Sequence, residues 1–131
     1  MVAYKTGLIR TADLKQIIQE SGLQRRTDDE HRLTGMIENA DVLISAWDDK
    51  RPVGFVRALT DYADVIYVAD LAVVKDYERQ GIGRHLVDLV IQAVGADKNV
   101  VLVASPGAAD YYSHLGFTRN DRGYVRLGEQ S

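Results

Sequence analysis

Two periodicities alternate along this chain, and the changes from one to the other outline its elements. Val2–Tyr4 reads as a short strand. Thr11 stands where a helix cap belongs, and Leu14, Ile17 and Ile18 fall on one helical face from about Ala12 until Gly22 ends it. After a polar loop at Arg25-Arg26-Thr27, the Thr27/Glu30 pair has capping-box spacing and Leu33, Met36 and Ile37 form a second apolar stripe. Val42–Trp47 and Val53–Leu59 read as hairpin strands around Asp48-Asp49-Lys50-Arg51-Pro52. A turn at Thr60–Asp64 leads into the long run Val65–Val74. The helical period returns at Ile82, Leu86, Leu89, Val90 and Ala93, with Gly95 as the stop, and Val100–Ala104 has the length of a buried strand. A helical piece at Ala108–Leu115 and a final short strand near Tyr124–Leu127 complete the pattern.

This order predicts one α/β domain over residues 1–131. Its mixed sheet is mostly antiparallel, with a parallel strand-helix-strand crossover from Val65 to Ala104, and helices flank it. At 131 residues, 46% hydrophobic and 27% charged, the chain can bury one real core and does not have the composition of a disordered segment. Lys and Arg number 16 against 19 Asp and Glu, a net charge of −3 that argues against non-specific nucleic-acid binding. With no cysteine there is no disulfide, no thiolate zinc site and no Cys nucleophile. His31, His85 and His114 lack metal-ligand spacing, so no metal is expected. The longest wholly apolar run, Val100 to Ala104, is far short of the roughly 20 residues that span a bilayer, and the N-terminus lacks the apolar core of a signal peptide. A cytoplasmic domain without membrane contact is the expectation.

The chemistry concentrates between Asp70 and Arg84. There a strand passes through a short loop into the amphipathic helix, whose first N–H groups carry the positive end of the helix dipole and suit a phosphate. Gly81 and Gly83 allow a bulky anion to approach the backbone. From Lys75 to Arg84 three cations face two anions, so oriented amides must supply much of the attraction. A dinucleotide fingerprint fails because Leu86 stands where its third glycine belongs, and no Gly-Lys-Ser/Thr follows for a Walker loop.

Three blocks in order, Leu71-Ala72-Val73, Arg79-Gln80-Gly81-Ile82-Gly83-Arg84 and Tyr111-Tyr112-Ser113-His114-Leu115-Gly116-Phe117, resemble the GNAT superfamily of acetyl-CoA-dependent N-acetyltransferases. The resemblance covers about the second half of the chain. It implies that Leu71, Ala72 and Val73 bind the pantetheine arm through their backbone, as a strand added to a sheet edge. It implies that Arg79, Gln80, Gly81, Ile82, Gly83 and Arg84 cradle the diphosphate of acetyl-CoA. Two positions depart from the family pattern: Glu78 stands where Gln or Arg is frequent, and Ser105 where Asn is common. Glu78 is expected to turn away from the phosphates.

Without cysteine, direct attack of an amine on the thioester in a ternary complex is the simplest route. Thiols titrate near ~8.5 and tyrosine near ~10, so a positioned tyrosine can protonate the departing thiolate. Tyr112 occupies the family's tyrosine position and is assigned as general acid; Tyr111 reads as packing. Asp70 precedes Leu71 and points to the opposite face of the strand, where a carboxylate is costly unless paired or functional. Two readings stand: acceptor of the amine's proton, directly or through water, or structural hydrogen-bond partner. Asp28-Asp29-Glu30 complements a helix N-terminus, and Asp48-Asp49-Lys50-Arg51 is a solvated hairpin tip.

In this family the acceptor site is commonly built by the first two helices, their loop, and the loop before the last strand. Those are Gly22–Thr27 and Arg119–Gly123 here, with Tyr62 and Trp47 as aromatic candidates and Arg25 and Arg26 able to hold a carboxylate or phosphate. The small size favours a small-molecule amine as acceptor. A protein N-terminal or lysine acetyltransferase, or an acyl-CoA-binding domain without turnover, are the alternatives, and a homodimer is left open.

Overall fold

A computed structural model describes residues 1–129. The elements run β1 (Val2–Thr6), α1 (Thr11–Ser21), α2 (Glu30–Glu38), β2 (Val42–Asp48), β3 (Arg51–Thr60), β4 (Val65–Val73), a 3-10 turn at Lys75–Tyr77, α3 (Ile82–Val94), β5 (Asn99–Val101) and α4 (Ala109–His114). The five strands form one sheet in sequence order, β1-β2-β3-β4-β5. The first three pairings are antiparallel and β4–β5 is parallel, as the strand-helix-strand reading requires.

The middle strand is buried on both faces, from Val53 through Val56. A Cβ at Gly54 would touch Ile82 and Leu86, so that face of β3 meets α3. Val53, Phe55 and Arg57 alternate onto the other face, where α1 packs on β3 and β4 and carries α2. Leu14, Ile17 and Ile18 of α1, and Leu86 and Val90 of α3, are buried as their spacing predicts. Each such aliphatic side chain contributes roughly 1.5–3 kcal/mol by leaving water.

Two irregularities shape the functional end of the sheet. The β3–β4 register shifts between Arg57 and Ala58, which leaves Ala69 as an extra residue on β4 and brings Arg57 opposite Asp70. The β4–β5 ladder pairs only Val65, Ile66 and Tyr67 with Asn99, Val100 and Val101. Among the described residues, no strand lies along that edge of β4 beyond Tyr67.

Several local expectations change. Thr11 is the first helical residue and not a cap; Arg10 precedes it with no side-chain cap bond. The second helix is capped by Asp29, whose carboxylate accepts from the Arg32 N–H at 3.1 Å, not by Thr27, which lies too far ahead of the first turn. β5 is three residues long, shorter than the apolar run Val100–Ala104. Tyr124–Leu127 forms no strand: these side chains stand largely in solvent, Tyr124 at 95% exposure, with no strand beside them. Among the described residues, no helix is long and apolar enough to cross a membrane.

Candidate active site

The strand-to-helix junction is built by two residues in the left-handed region, Arg79 at φ 65° and Gly81 at φ 81°. Gly81 is the N-cap of α3, and nothing lies within 4 Å of where its Cβ would be. No side chain caps the helix, and its first backbone bond runs from the His85 N–H to the Gly81 carbonyl. The amides of Ile82, Gly83 and Arg84 are therefore the orphan donors of the first turn. These residues, with Arg79 and Gly81, line a cleft of about 720 Å³ whose far walls are Leu71–Val73 of β4, Gly22 and Leu23 after α1, and Tyr111 and Tyr112 of α4. Gln80 is exposed in the same turn but is not among the residues that line the cleft.

A polar clamp fixes the junction from behind. Arg51 at the β2–β3 hairpin donates to both oxygens of Asp76 at 2.9 and 3.0 Å and to Glu20 of α1 at 3.0 Å, while its guanidinium lies 5.1 Å over the Tyr77 ring. Tyr77 in turn donates to the Asp48 carboxylate. The Arg51 bonds hold the Asp76 carboxyl below its ordinary range, and Asp76 and Glu20 push the Arg51 guanidinium up. The Arg51 ion pairs are exposed and contribute little alone, but together the contacts join α1, the hairpin and the 3-10 turn.

On the opposite wall, Tyr112 is half-buried, edge-on to Tyr111 at 5.3 Å and to Phe117 at 5.7 Å. Burial raises the Tyr112 phenol, Tyr111 adds to the rise, and the positive charge of Arg25 opposes it. Tyr111 packs its hydroxyl on the first turn of α3, so a Cβ on Gly83 would lie 1.9 Å from it. Its phenol is raised by burial first, with Arg84 opposing and Glu78 adding. Glu78 lines the cleft, and its charge adds to the rise at Tyr111. Arg84 donates to the His114 carbonyl and joins α3 to α4.

Asp70 lies on the other face of β4 and is absent from the cleft wall. Its side chain is 0% exposed, and each oxygen accepts from a guanidinium: Oδ1 from Arg25 Nε at 2.6 Å and Oδ2 from Arg57 Nε at 2.5 Å. A carboxylate engaged at both oxygens and closed to solvent is poorly placed to take a proton from an amine. The geometry favours the structural ion pair over direct proton acceptance. Arg57 carries no local sequence signal, because only the register of β3 on β4 places it opposite Asp70. Arg51 stands at the expected hairpin tip, but its reach to Glu20 and Asp76 has no local sequence signal.

Of the remaining candidates, His114 lines the cleft and the others lie elsewhere. His85 stacks on Tyr4 at 4.3 Å, and His114 Nδ1 is 2.8 Å from the Asp110 carbonyl. Trp47 donates to Ser45 under Lys5, and Tyr62 donates to the Asp41 carbonyl, both away from the cleft. Arg26 faces outward, 3.8 Å from Asp28. Among the described residues, no group of three His, Cys, Asp or Glu side chains could hold a metal ion.

Residues 12–128 match the family model described as an acetyltransferase (GNAT) domain. The chain belongs to the GNAT acetyltransferases. It is thus one of the acetyl-CoA-dependent N-acetyltransferases. Its curated relatives include an uncharacterised ycf52-like N-acetyltransferase of Prochlorococcus marinus, 30% identical over 125 residues, an alignment covering 88% of this chain and 68% of that protein. Among solved structures, a probable acetyltransferase of unknown function from meticillin-resistant Staphylococcus aureus superposes with a TM-score of 0.84 at 21% identity, each chain covered in full. Diaminobutyrate acetyltransferase from Paenibacillus lautus, solved with its substrate L-2,4-diaminobutyric acid and coenzyme A, gives 0.73 at 20% identity, covering 88% of this chain and 74% of that one. The GNAT cleft here fits a coenzyme A thioester on its own terms: open space at Gly81, uncapped amides at the head of α3, and a bare strand edge at Leu71–Val73.

Proposed function

We propose that this GNAT enzyme transfers the acetyl group of acetyl-CoA to the primary amine of a small molecule, by direct attack within a ternary complex. The observation that carries the reading is the single cleft shared by the uncapped start of α3, the bare edge of β4 and the Tyr112 side chain. Its volume of about 720 Å³ lies within the usual range of small-ligand sites, roughly 300–1,000 Å³. The amides of Ile82, Gly83 and Arg84, with Gly81 leaving the approach clear, hold the diphosphate. The backbone of Leu71 and Val73 pairs with the pantetheine arm along the open strand edge.

In the chemical step the amine nitrogen attacks the thioester carbonyl carbon. The new C–N bond forms, the C–S bond breaks, and the sulfur leaves with its electron pair. Tyr112 donates its phenolic proton to that sulfur, and the proton shed by the attacking nitrogen passes through water to solvent, from which Tyr112 is recharged. Asp70 acts here as a positioning residue, holding Arg25 and Arg57. A diaminobutyrate acetyltransferase among the fold neighbours uses a small amine, which supports a small acceptor.

The test is thiol release from acetyl-CoA across parallel panels of small amines and peptides. Turnover with small amines is expected. Labelling confined to peptides would replace the acceptor with a protein, and binding without release in either panel would make the chain a silent acyl-CoA binder.

A further inference from the structure

The turn ahead of α3 carries a carboxylate that the protein leaves without a partner. Of the two acidic residues there, Asp76 is taken up by Arg51, which donates to both of its oxygens. Glu78 is exposed and lines the cleft. Among the described residues, no Lys, Arg or His is paired with its carboxylate. Two of the three nearby cations are directed elsewhere. Lys75 extends to Gly22, where a Cβ would meet its Cε at 3.1 Å and its Nζ at 3.4 Å. Arg84 donates to the His114 carbonyl. Arg79 is left as the one cation of the turn with no side-chain partner among the described residues.

The main chain at Glu78 offers an anion nothing in return. Its N–H is spent on the Lys75 carbonyl at 3.3 Å, and the Tyr77 N–H on the Val74 carbonyl at 2.9 Å. The orphan donors lie further on, at Ile82, Gly83 and Arg84, so Glu78 brings to this wall of the cleft a negative charge alone. The chain from Glu78 to Gly81 spans at most about 11 Å. Unit charges at that separation still act on each other in ordinary salt, where screening sets in over about 10 Å. The Glu78 charge also acts on the Tyr111 phenol, whose hydroxyl packs on Gly83 in the first turn of α3.

We infer that Glu78 sets the strength of coenzyme binding: its carboxylate opposes the diphosphate at the head of α3. The enzyme thereby holds acetyl-CoA, and the coenzyme A it must release, less tightly than the amides alone would. Donor and product carry the same diphosphate, so the opposition acts on binding and release and not on acetyl transfer itself. A thioester without the diphosphate escapes it. Glu78 therefore also narrows the preference for the full coenzyme over a bare pantetheine thioester. The inference rests on the placement of the diphosphate given above.

The experiment titrates coenzyme A and acetyl-CoA by calorimetry into the wild type, Glu78→Gln and Glu78→Asp, at low and at raised NaCl. It also measures KM for S-acetylpantetheine with the same proteins. Glu78→Gln should bind both coenzymes about 3- to 30-fold more tightly, the size of a like-charge contact near a protein surface. Glu78→Asp keeps the charge and should bind much as the wild type does, and KM for S-acetylpantetheine should not move. Salt screens attraction and repulsion together in the wild type but attraction alone in Glu78→Gln, so affinity should fall more steeply with salt in the variant. Glu78→Lys reverses the charge and should tighten binding further, which decides the matter where one variant folds poorly. Coenzyme binding that is unchanged or weaker in Glu78→Gln overturns the inference while the diphosphate site stands. So does an equal gain for S-acetylpantetheine, or a Glu78→Asp variant that binds as tightly as Glu78→Gln. No heat with either coenzyme in any of the proteins removes the diphosphate site and the inference with it.

Discussion

The Tyr111 hydroxyl occupies the space that a side chain on Gly83 would need: a Cβ there would fall 1.9 Å from the phenolic oxygen and 3.2 Å from the ring carbon bearing it. A tyrosine of α4 thereby packs on a glycine of α3, and both residues line the cleft.

Gly83→Ala is expected to push Tyr111 off the first turn of α3 and to destabilise the fold by about 1–3 kcal/mol, the usual cost of overpacking. Denaturant unfolding should show the loss, and Tyr111→Ala in the same chain should recover most of it. Equal stability of Gly83→Ala and wild type would mean that Tyr111 swings away freely.

Tyr112→Phe removes the proposed proton donor and keeps the packing on Tyr111 and Phe117. Turnover should fall by about 10²- to 10⁴-fold, the usual worth of a general acid, while calorimetric affinity for acetyl-CoA stays near the wild-type value. In the proposed role the neutral phenol is the active form, and burial raises its pKa. Activity should therefore persist to pH 10 and decline only above it, and that alkaline limb should be missing from the residual activity of the Phe variant.

Asp70→Asn leaves two guanidiniums facing each other with no carboxylate between them. Losing one member of a buried ion pair costs about 3–5 kcal/mol, so a large drop in unfolding free energy is expected. If Asp70 took the amine's proton instead, the variant would keep its stability and lose turnover at neutral pH.

Asp61 accepts from the N–H groups of Ala63, Asp64 and Val65 at 3.0, 2.8 and 3.1 Å, and these bonds lower its pKa from 3.8 to about 2. A carboxylate depressed on folding contributes stability that is full above its unfolded value and lost as pH falls through its folded one. Melting temperatures measured from pH 5 down to pH 2 should thus fall less steeply in Asp61→Asn than in the wild type.

Much of this fold is legible in the sequence because burial follows period. Leu14, Ile17 and Ile18, or Ile82, Leu86 and Val90, can face a sheet only as helices, and the apolar runs between them fit only strands. The loop at Arg79–Arg84 is legible as well, since glycines placed between a strand and an amphipathic helix have few other uses. Local signals fail where two partners compete for one role. Thr27 and Asp29 both suit a cap, and the one nearer the first turn takes it. Tyr124–Leu127 has strand composition but no strand beside it. The fate of Asp70 depends on Arg57 and Arg25, which lie 13 and 45 residues away. A one-residue shift in β3–β4 register sets the first contact, and a loop crossing over β4 sets the second.

The short β4–β5 ladder leaves the protein with an unfinished sheet, open for several residues past Tyr67. A ligand that lies along that gap contributes main-chain bonds the polypeptide does not make for itself, and so becomes a temporary strand of the fold. Saturating acyl carrier should then slow amide exchange most at Leu71 and Val73 and raise the melting temperature in proportion to the logarithm of its concentration. The apparent sturdiness of the enzyme in a cell would track its supply of acyl donor.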